Sequence, residues 1–254
     1  MMKKNVMLWV GAGQIGMAIA RRMGYGMKII VGDKKLENAV KTAEIMNQAG
    51  FDVVPLEMDL SSKESICSMI AEGQKYGPIK MLVNAAGVSP SQASIKTILQ
   101  VDLYGTAVLL EEVGKVICEG GVGVTISSQS GFRMPALTTE EDELLACTPV
   151  DELLELDILQ EEHIKDTLHA YQIAKRCNEK RVMAQAVEWG KRGARLNAIA
   201  PGIIVTPSGR PGTADEIANI AELLMSDRGS FITGSTFLAD GGATAAYYYG
   251  DLKN

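Results

Sequence analysis

Short apolar, β-branched runs recur along the chain and alternate with stretches of helical length. The runs VMLWV, MKIIVGD, FDVVPLEMD, IKMLVNAAG, GVGVTISS, ARLNAIAPG and STFLADGG are separated by mixed apolar and polar segments at 35–49, 62–76, 97–118, 170–191 and 213–226. Apolar strands between amphipathic helices predict a parallel sheet covered on both faces, a doubly wound three-layer α/β/α arrangement. No linker, internal repeat or low-complexity tract divides the 254 residues, so one domain over 1–254 is expected. The opening stretch MMKKNVMLWVGAGQIGMAIA has the outline of a secretory signal. Gly11, Gly13 and Gly16 would interrupt such a signal, but they suit a strand, a tight turn and a helix start. No stretch has the ~20 continuous apolar residues that span a bilayer.

Charge narrows the partners. A net charge of −6 and a pI near 5.1 argue against nucleic acid or an anionic membrane, both of which call for basic patches. A small-molecule partner is expected. Cys67, Cys118, Cys147 and Cys177 lie far apart without a CxxC, which suits buried thiols in a reducing, cytoplasmic setting. His163 and His169 lack the partners of a metal site, so no metal is expected and both read as structural.

In such a sheet, ligands bind beyond the carboxyl ends of the strands, where the polar motifs fall. VGAGQIG places Gly11, Gly13 and Gly16 in GxGxxG spacing, with Gln14 and Ile15 opening the following helix. Glycine permits the turn and the close approach of backbone to a pyrophosphate, which the helix N-terminus then meets. Asp33 ends the second strand about 20 residues on, where a carboxylate can accept from both hydroxyls of an adenosine ribose. The same charge repels a 2′-phosphate, so NAD is expected over NADP, although Lys34 and Lys35 leave room for NADP. A turn aspartate capping the next helix is the other reading of Asp33.

Tyr171 and Lys175 stand four apart in a run without glycine or proline, whereas the second YxxxK, Tyr76 to Lys80, is broken by Gly77 and Pro78. Together with MDL (Asp59, Leu60), VNAAG (Asn84, Ala85, Ala86, Gly87), VTISSQSG (Ser128), RLNAIAPG (Asn197, Pro201, Gly202) and LADGG (Asp240, Gly241, Gly242), YQIAK follows the order found in short-chain dehydrogenases/reductases, and the chain resembles that family over essentially its whole length. The resemblance implies a Rossmann fold and an NAD(P)-dependent oxidoreductase interconverting a secondary alcohol and a ketone. It also implies that Asn84, Ala85, Ala86, Pro201, Gly202, Ile204 and Thr206 help hold the dinucleotide, as do Asp59 and Leu60. Loss of hydride from an alcohol requires loss of the hydroxyl proton, hence a base. Tyrosine, with an ordinary pKa near 10, needs help at neutral pH, and a cation one helical turn away favours the phenolate. Tyr171 and Lys175 are thus the expected base and its tuner, and the family also sets this lysine on the nicotinamide ribose. Ser128 is the expected partner of the substrate oxygen, with Ser127 and Ser130 as rivals.

The chain departs from the family at several points. Where the family has a water-holding asparagine, LQVDLYGTA offers Asp102, either a catalytic relay group or a solvated or capping carboxylate. Ser128 and Tyr171 stand 43 apart, where the family commonly has little more than a dozen residues. The added stretch, 132–168, carries eleven acidic residues against Arg133 and Lys165. TTEEDELL and TPVDELLELDIL predict two short helices with threonine caps, and Leu144, Leu145, Leu153, Leu154 and Ile158 supply apolar faces. The stretch is either a solvated surface excursion whose leucines only anchor it, or a helical flap that shapes an apolar substrate pocket or alters subunit contacts; an apolar pocket would suit a hydroxysteroid-like or other apolar cyclic alcohol. After PGIIVTP the family carries a segment that folds over substrate; here Ser208-Gly209 lead straight to RPGTADEIANIAELL, so the segment is either lost or missing from this sequence between Pro207 and Ser208. The tail AAYYYG is expected at a pocket rim or subunit interface. The family's habit of pairing the helices that carry Asp102 and Tyr171 implies a homo-oligomer, a dimer or tetramer. A non-enzymatic dinucleotide-binding regulator is the alternative reading.

Overall fold

Val6–Val10 forms the central strand β1, whose alternation sends Val6, Leu8 and Val10 into one core and Met7 and Trp9 into the other. The structure is a computed structural model and describes residues 3–202 and 211–250. The Pro207–Ser208 junction, Ile204 and Thr206 lie outside the described residues. Around β1 stand β2 Lys28–Asp33, β3 Asp52–Glu57, β4 Ile79–Asn84, β5 Val122–Ile126, β6 Arg195–Pro201 and β7 Thr236–Ala239. All pair in parallel, in the order β3-β2-β1-β4-β5-β6-β7. Strand order reverses between β1 and β4, the switch point at which a crevice opens in doubly wound sheets. The edge strand β3 carries Pro55 opposite Val31.

Helices α1 Gln14–Met23, α2 Leu36–Gln48 and α9 Ala214–Met225 cover the Trp9 face. Helices α3 Lys63–Tyr76, α5 Thr106–Gly114 and α8 Thr167–Lys191 cover the Leu8 face. Gly16 lets α1 lie on β1, because a Cβ there would fall 2.0 Å from the Trp9 indole nitrogen. That nitrogen instead donates to the Gly11 carbonyl at 2.7 Å. The run ahead of α5 begins as α4 Ile95–Ile98 and widens over Leu99–Gly105 into π-type turns before tightening again. Gly105 sits where that segment crosses the Leu60 carbonyl, 2.1 Å from where a Cβ would stand.

The stretch between β5 and α8 is built into the core. It comprises α6 Gln129–Arg133, α7 Thr139–Cys147 and two single 3₁₀ turns, Leu153–Glu155 and Asp157–Leu159. Thr138 and Glu141 make the reciprocal cap that the sequence pattern signals for α7. The second expected helix does not form. Thr148 closes α7 instead of capping a new helix, its carbonyl accepts from Arg181, and extended Leu156 separates the two turns. Leu145 and Leu153 are fully buried, and Val150, Leu159 and Ile164 join the same core, while Leu144 is exposed. Asp142 grips Arg176 at 2.9 and 2.6 Å and Lys180 at 2.8 Å, and Asp151 meets Lys63 at 3.1 Å. These buried leucines and ion pairs anchor the stretch to the body of the fold.

The cysteines correct another expectation: Cys177 is buried, but Cys67 and Cys147 are exposed, on α3 and at the end of α7. Tyr76 and Lys80 fall on different elements, and Tyr76 lies beneath Lys28, whose Nζ is 4.7 Å from the ring centroid. His163 lies 3.4 Å from Asp157, and His169 Nδ1 accepts from the Lys165 amide at 3.2 Å. The final helix, α10 Ala243–Tyr249, leans on α6 through a 2.8 Å bond from the Tyr248 hydroxyl to the Phe132 carbonyl. Because Leu145 is wholly enclosed between α7 and the core, Leu145→Ala should destabilise the protein by about 2–5 kcal/mol in urea unfolding, where a detached surface loop would show almost no change.

Candidate active site

The crevice begins where β1 ends. Gly11 adopts φ +87°, and a Cβ there would meet the Ala86 amide nitrogen at 2.6 Å, so only glycine lets the first turn pass under the loop after β4. Gly13 precedes α1 with nothing within 4 Å of where its Cβ would be and with no side chain capping the helix. The leading N–H groups of α1 are thus free of a side-chain acceptor beside open space, the arrangement that receives a phosphate. The adjoining pocket, about 420 Å³, is lined by Gly11, Gly13, Asp33, Asp59, Leu60, Ala85 and Ala86, with Gly87 and Val88 at its inner end. These residues fit a dinucleotide.

Asp33 lines the pocket and accepts from the amides of Ala12 and Lys35, each at 3.0 Å, and from Asn38 at 3.2 Å. It does not cap the next helix, since α2 begins after Lys35 without a side-chain cap. Across the rim, Lys34 is held by Asp59 at 2.9 Å, and Asp59 also takes the Ser61 hydroxyl at 2.6 Å.

Tyr171 and Lys175 on α8 do not line this pocket but adjoin it behind Gly87, one of its lining residues. Asp166 caps α8 by accepting the His169 amide at 2.7 Å, and Tyr171 and Lys175 follow on one face. The Lys175 Nζ sits 5.2 Å from the Tyr171 ring centroid and 3.4 Å from Asp102 Oδ2. Asp102, carried by the π-type turns, is fully buried, so it is neither a solvated nor a capping carboxylate. Its Oδ1 accepts the Val88 amide at 2.8 Å. Gly87 makes room for the pair, since a Cβ there would stand 3.2 Å from Asp102 Oδ1 and 3.3 Å from Lys175 Nζ. Burial pushes the Asp102 carboxyl above its usual range against the pull of Lys175. Burial also opposes the charge on Lys175, but Asp102 and Tyr171 outweigh it and raise the lysine, which stays an ammonium.

The serines separate by direction. Ser128, 3 % exposed, stands just before α6 and accepts the Ser130 amide at 3.2 Å. The Ser127 hydroxyl turns away into α8, where it donates to the Lys175 carbonyl at 3.1 Å. Asn84 does not line the pocket; its amide nitrogen reaches Thr125 at 3.0 Å and Thr106 at 3.4 Å beneath it. Gln14 faces a groove between α1 and α9, Ile15 packs with the Trp9 core, and Pro201 and Gly202 close β6 next to Asp240. A larger pocket, about 570 Å³, lies between α6, α8 and α10, but it is lined by Gln172 and Arg176 rather than Tyr171 and Lys175. Glu179, one turn beyond Lys175, continues the Tyr171–Lys175 spacing and lies 3.3 Å from the Ser127 hydroxyl.

Known proteins share this architecture. A sequence model described as short chain dehydrogenase matches residues 5–139, and one described as enoyl-(acyl carrier protein) reductase matches 205–244. The short-chain dehydrogenase/reductase bsc3 of Alternaria brassicicola is 34% identical over 267 residues, covering 96% of this chain and 97% of that protein. Glucose 1-dehydrogenase of Gluconobacter oxydans is 26% identical, covering 97% and 93%. Among solved structures, a short-chain dehydrogenase/reductase from Brucella melitensis superposes with a TM-score of 0.72 at 22% identity, covering 94% of this chain and 95% of that one. The family match spans more than half of the sequence, and a relative over 30% identical aligns nearly end to end, so the chain belongs to the short-chain dehydrogenase/reductase family of oxidoreductases.

Proposed function

We propose that this protein is an NAD-dependent oxidoreductase that interconverts a small secondary alcohol and the corresponding ketone. The observation that carries the reading is the Lys175 ammonium, buried between Asp102 and Tyr171 and behind Gly87 of the dinucleotide pocket. Tyr171, with the Lys175 ammonium beside its ring, is the base that takes the hydroxyl proton of the alcohol as the carbon loses its hydride. Ser128 donates to the same substrate oxygen and, in the reverse direction, stabilises the charge that develops on it. Asp102 fixes Lys175 and prevents a lone cation from being buried. The dinucleotide, when bound, supplies the hydride acceptor or donor. A pocket ready for the dinucleotide together with the paired lysine favours an enzyme over a binding-only regulator.

Asp33 supports NAD over NADP, because a carboxylate on the pocket wall repels a 2′-phosphate while Lys34 is engaged by Asp59. Of the apolar residues that suggest an apolar cyclic alcohol, Leu145 and Leu153 are committed to the core, while Leu144 is exposed and Leu154 and Ile158 are partly buried. Glucose 1-dehydrogenase among the relatives makes polyols part of the screen. The family's habit of association, with Met183 and Val187 exposed one turn apart on α8, supports a homo-oligomer.

The reading is tested by following dinucleotide absorbance across a panel of secondary alcohols, including polyols and cyclic alcohols. Tyr171→Phe should cut turnover by about 10² to 10⁴ while leaving NAD binding nearly unchanged, and retention of more than about a tenth of the rate would assign the proton to another group. Lys175→Met should weaken both rate and dinucleotide affinity, and the double variant should lose far less than the product of the single losses, because the lysine's effect runs through the phenol. Calorimetry should show tighter NAD than NADP binding, with Asp33→Ala narrowing that ratio; equal affinities in the unmodified protein would refute the preference. Light scattering at micromolar concentration should give a mass above that of one chain, and a monomer would remove the homo-oligomer from the proposal.

A further inference from the structure

Glu179 lies between two stripes of α8: the one formed by Tyr171 and Lys175, and the one formed by Arg176 and Lys180. It is 5 % exposed, and α6 closes over it, because a Cβ at Gly131 would fall 2.5 Å from Glu179 Oε1. The same Oε1 lies 3.3 Å from the Ser127 hydroxyl, which is itself 3.1 Å from the Lys175 carbonyl. Both nearby cations are bound by Asp142, and Arg176 also reaches Glu179 at the limit of an ion pair. Asp142 of α7 holds Arg176 with two bonds and Lys180 at 2.8 Å, leaving the guanidinium 4.0 Å from Glu179 Oε2. Burial pushes the Glu179 carboxyl up to about 7, against the pull of Arg176, Ser127 and Lys180 and with the repulsion of Asp142.

The three groups share a shortage of protons. A serine hydroxyl has one to donate. An ionised Glu179 can only accept, so Ser127 serves either the carboxylate or the Lys175 carbonyl. A protonated Glu179 donates to Ser127 Oγ, Ser127 donates on to the Lys175 carbonyl, and the chain is complete.

We propose that Glu179 is a positioning residue that acts through Ser127, its protonation state setting the placement of the adjoining Ser128 and of the Lys175 turn; the catalytic part of this inference rests on the oxidoreductase reading above. Glu179 touches neither substrate nor dinucleotide. The protonated form holds the competent arrangement, and the acidic stretch maintains it by drawing Arg176 and Lys180 onto Asp142. One hydrogen bond of the usual net strength corresponds to about a threefold to tenfold change in rate.

The experiment is a pH titration of the backbone amide signals of Ser128 and Gly131 by NMR, together with kcat for ketone reduction, in the unmodified protein, Glu179→Gln and Asp142→Asn. The amides of the unmodified protein should move through one step near pH 7, and kcat should fall about threefold to tenfold across it with the dinucleotide KM unchanged. Glu179→Gln, whose amide donates to Ser127 at every pH, should fold, lose the step and keep the higher rate. Asp142→Asn, by releasing Arg176 toward Glu179, should move the step to lower pH. Absence of the step in the unmodified protein, its survival in Glu179→Gln, or an unmoved step in Asp142→Asn overturns the inference. So does a pH profile of kcat that Glu179→Gln leaves unaltered. If the amides titrate as expected but no alcohol or ketone is turned over, the oxidoreductase reading falls and the coupling of Glu179 to Ser127 is upheld.

Discussion

A wholly buried ammonium constrains this molecule more than any other group in it. Lys175 is 3 % exposed, and a cation removed from water to that degree needs a counter-charge in place before the fold can close. Asp102 provides it, and much of the neighbouring backbone is shaped around that requirement. The helix ahead of α5 widens into π-type turns where it bears Asp102, Gly105 lets it cross Leu60, and Gly87 leaves the space in which the two charges meet. Widened turns of this kind are rare and frequently mark functional sites. Replacing Asp102 by a neutral group would therefore disturb folding as well as chemistry, and the two effects would have to be separated before any loss of rate was assigned.

The layers of the fold were legible because their causes are local. Strand alternation such as Val6, Leu8, Val10 against Met7, Trp9, and the glycines of the first turn, state their surroundings in their own spacing. The position of Lys175 beside Tyr171 was legible for the same reason, being one turn of helix. What escaped depends on partners distant in sequence. Whether Asp102 was solvated or buried is decided by Val88 and Lys175. The role of Ser127 is decided by a carbonyl 48 residues away, and Asn84 turned out to brace Thr125 rather than line the pocket. The TPVDELLELDIL stretch carried helical composition, yet extended Leu156 and the burial of Leu153 and Leu159 overrode it. Local propensity yields where tertiary packing fixes the backbone.

The acidic stretch between β5 and α8 has a divided character. Leu145, Leu153 and Leu159 behave as core, and a few of its carboxylates are structural, Asp142 above all. The others, such as Glu140 and Glu143, face outward and enter no ion pair or hydrogen bond described above. An exposed pair contributes little, whereas Asp142 and Arg176 are both largely shielded and joined by two parallel bonds, the geometry in which guanidinium and carboxylate match. The stretch is thus fastened to α8 at Arg176 and Lys180, the first of them the residue directly after Lys175.

The placement of Pro55 has a bearing on how molecules of this protein can meet. Open parallel sheets expose a row of unpaired donors and acceptors on each outer strand, and such a row invites another chain to continue the sheet. β3 is one of those outer strands, and a proline there is tolerated because its missing N–H points away from the sheet. An incoming strand would find a gap in the ladder at that position. Growth of the sheet across its β3 side is thereby discouraged, leaving helix faces and the β7 side as the surfaces through which ordered assembly can proceed and strand-by-strand aggregation is least favoured where β3 is exposed.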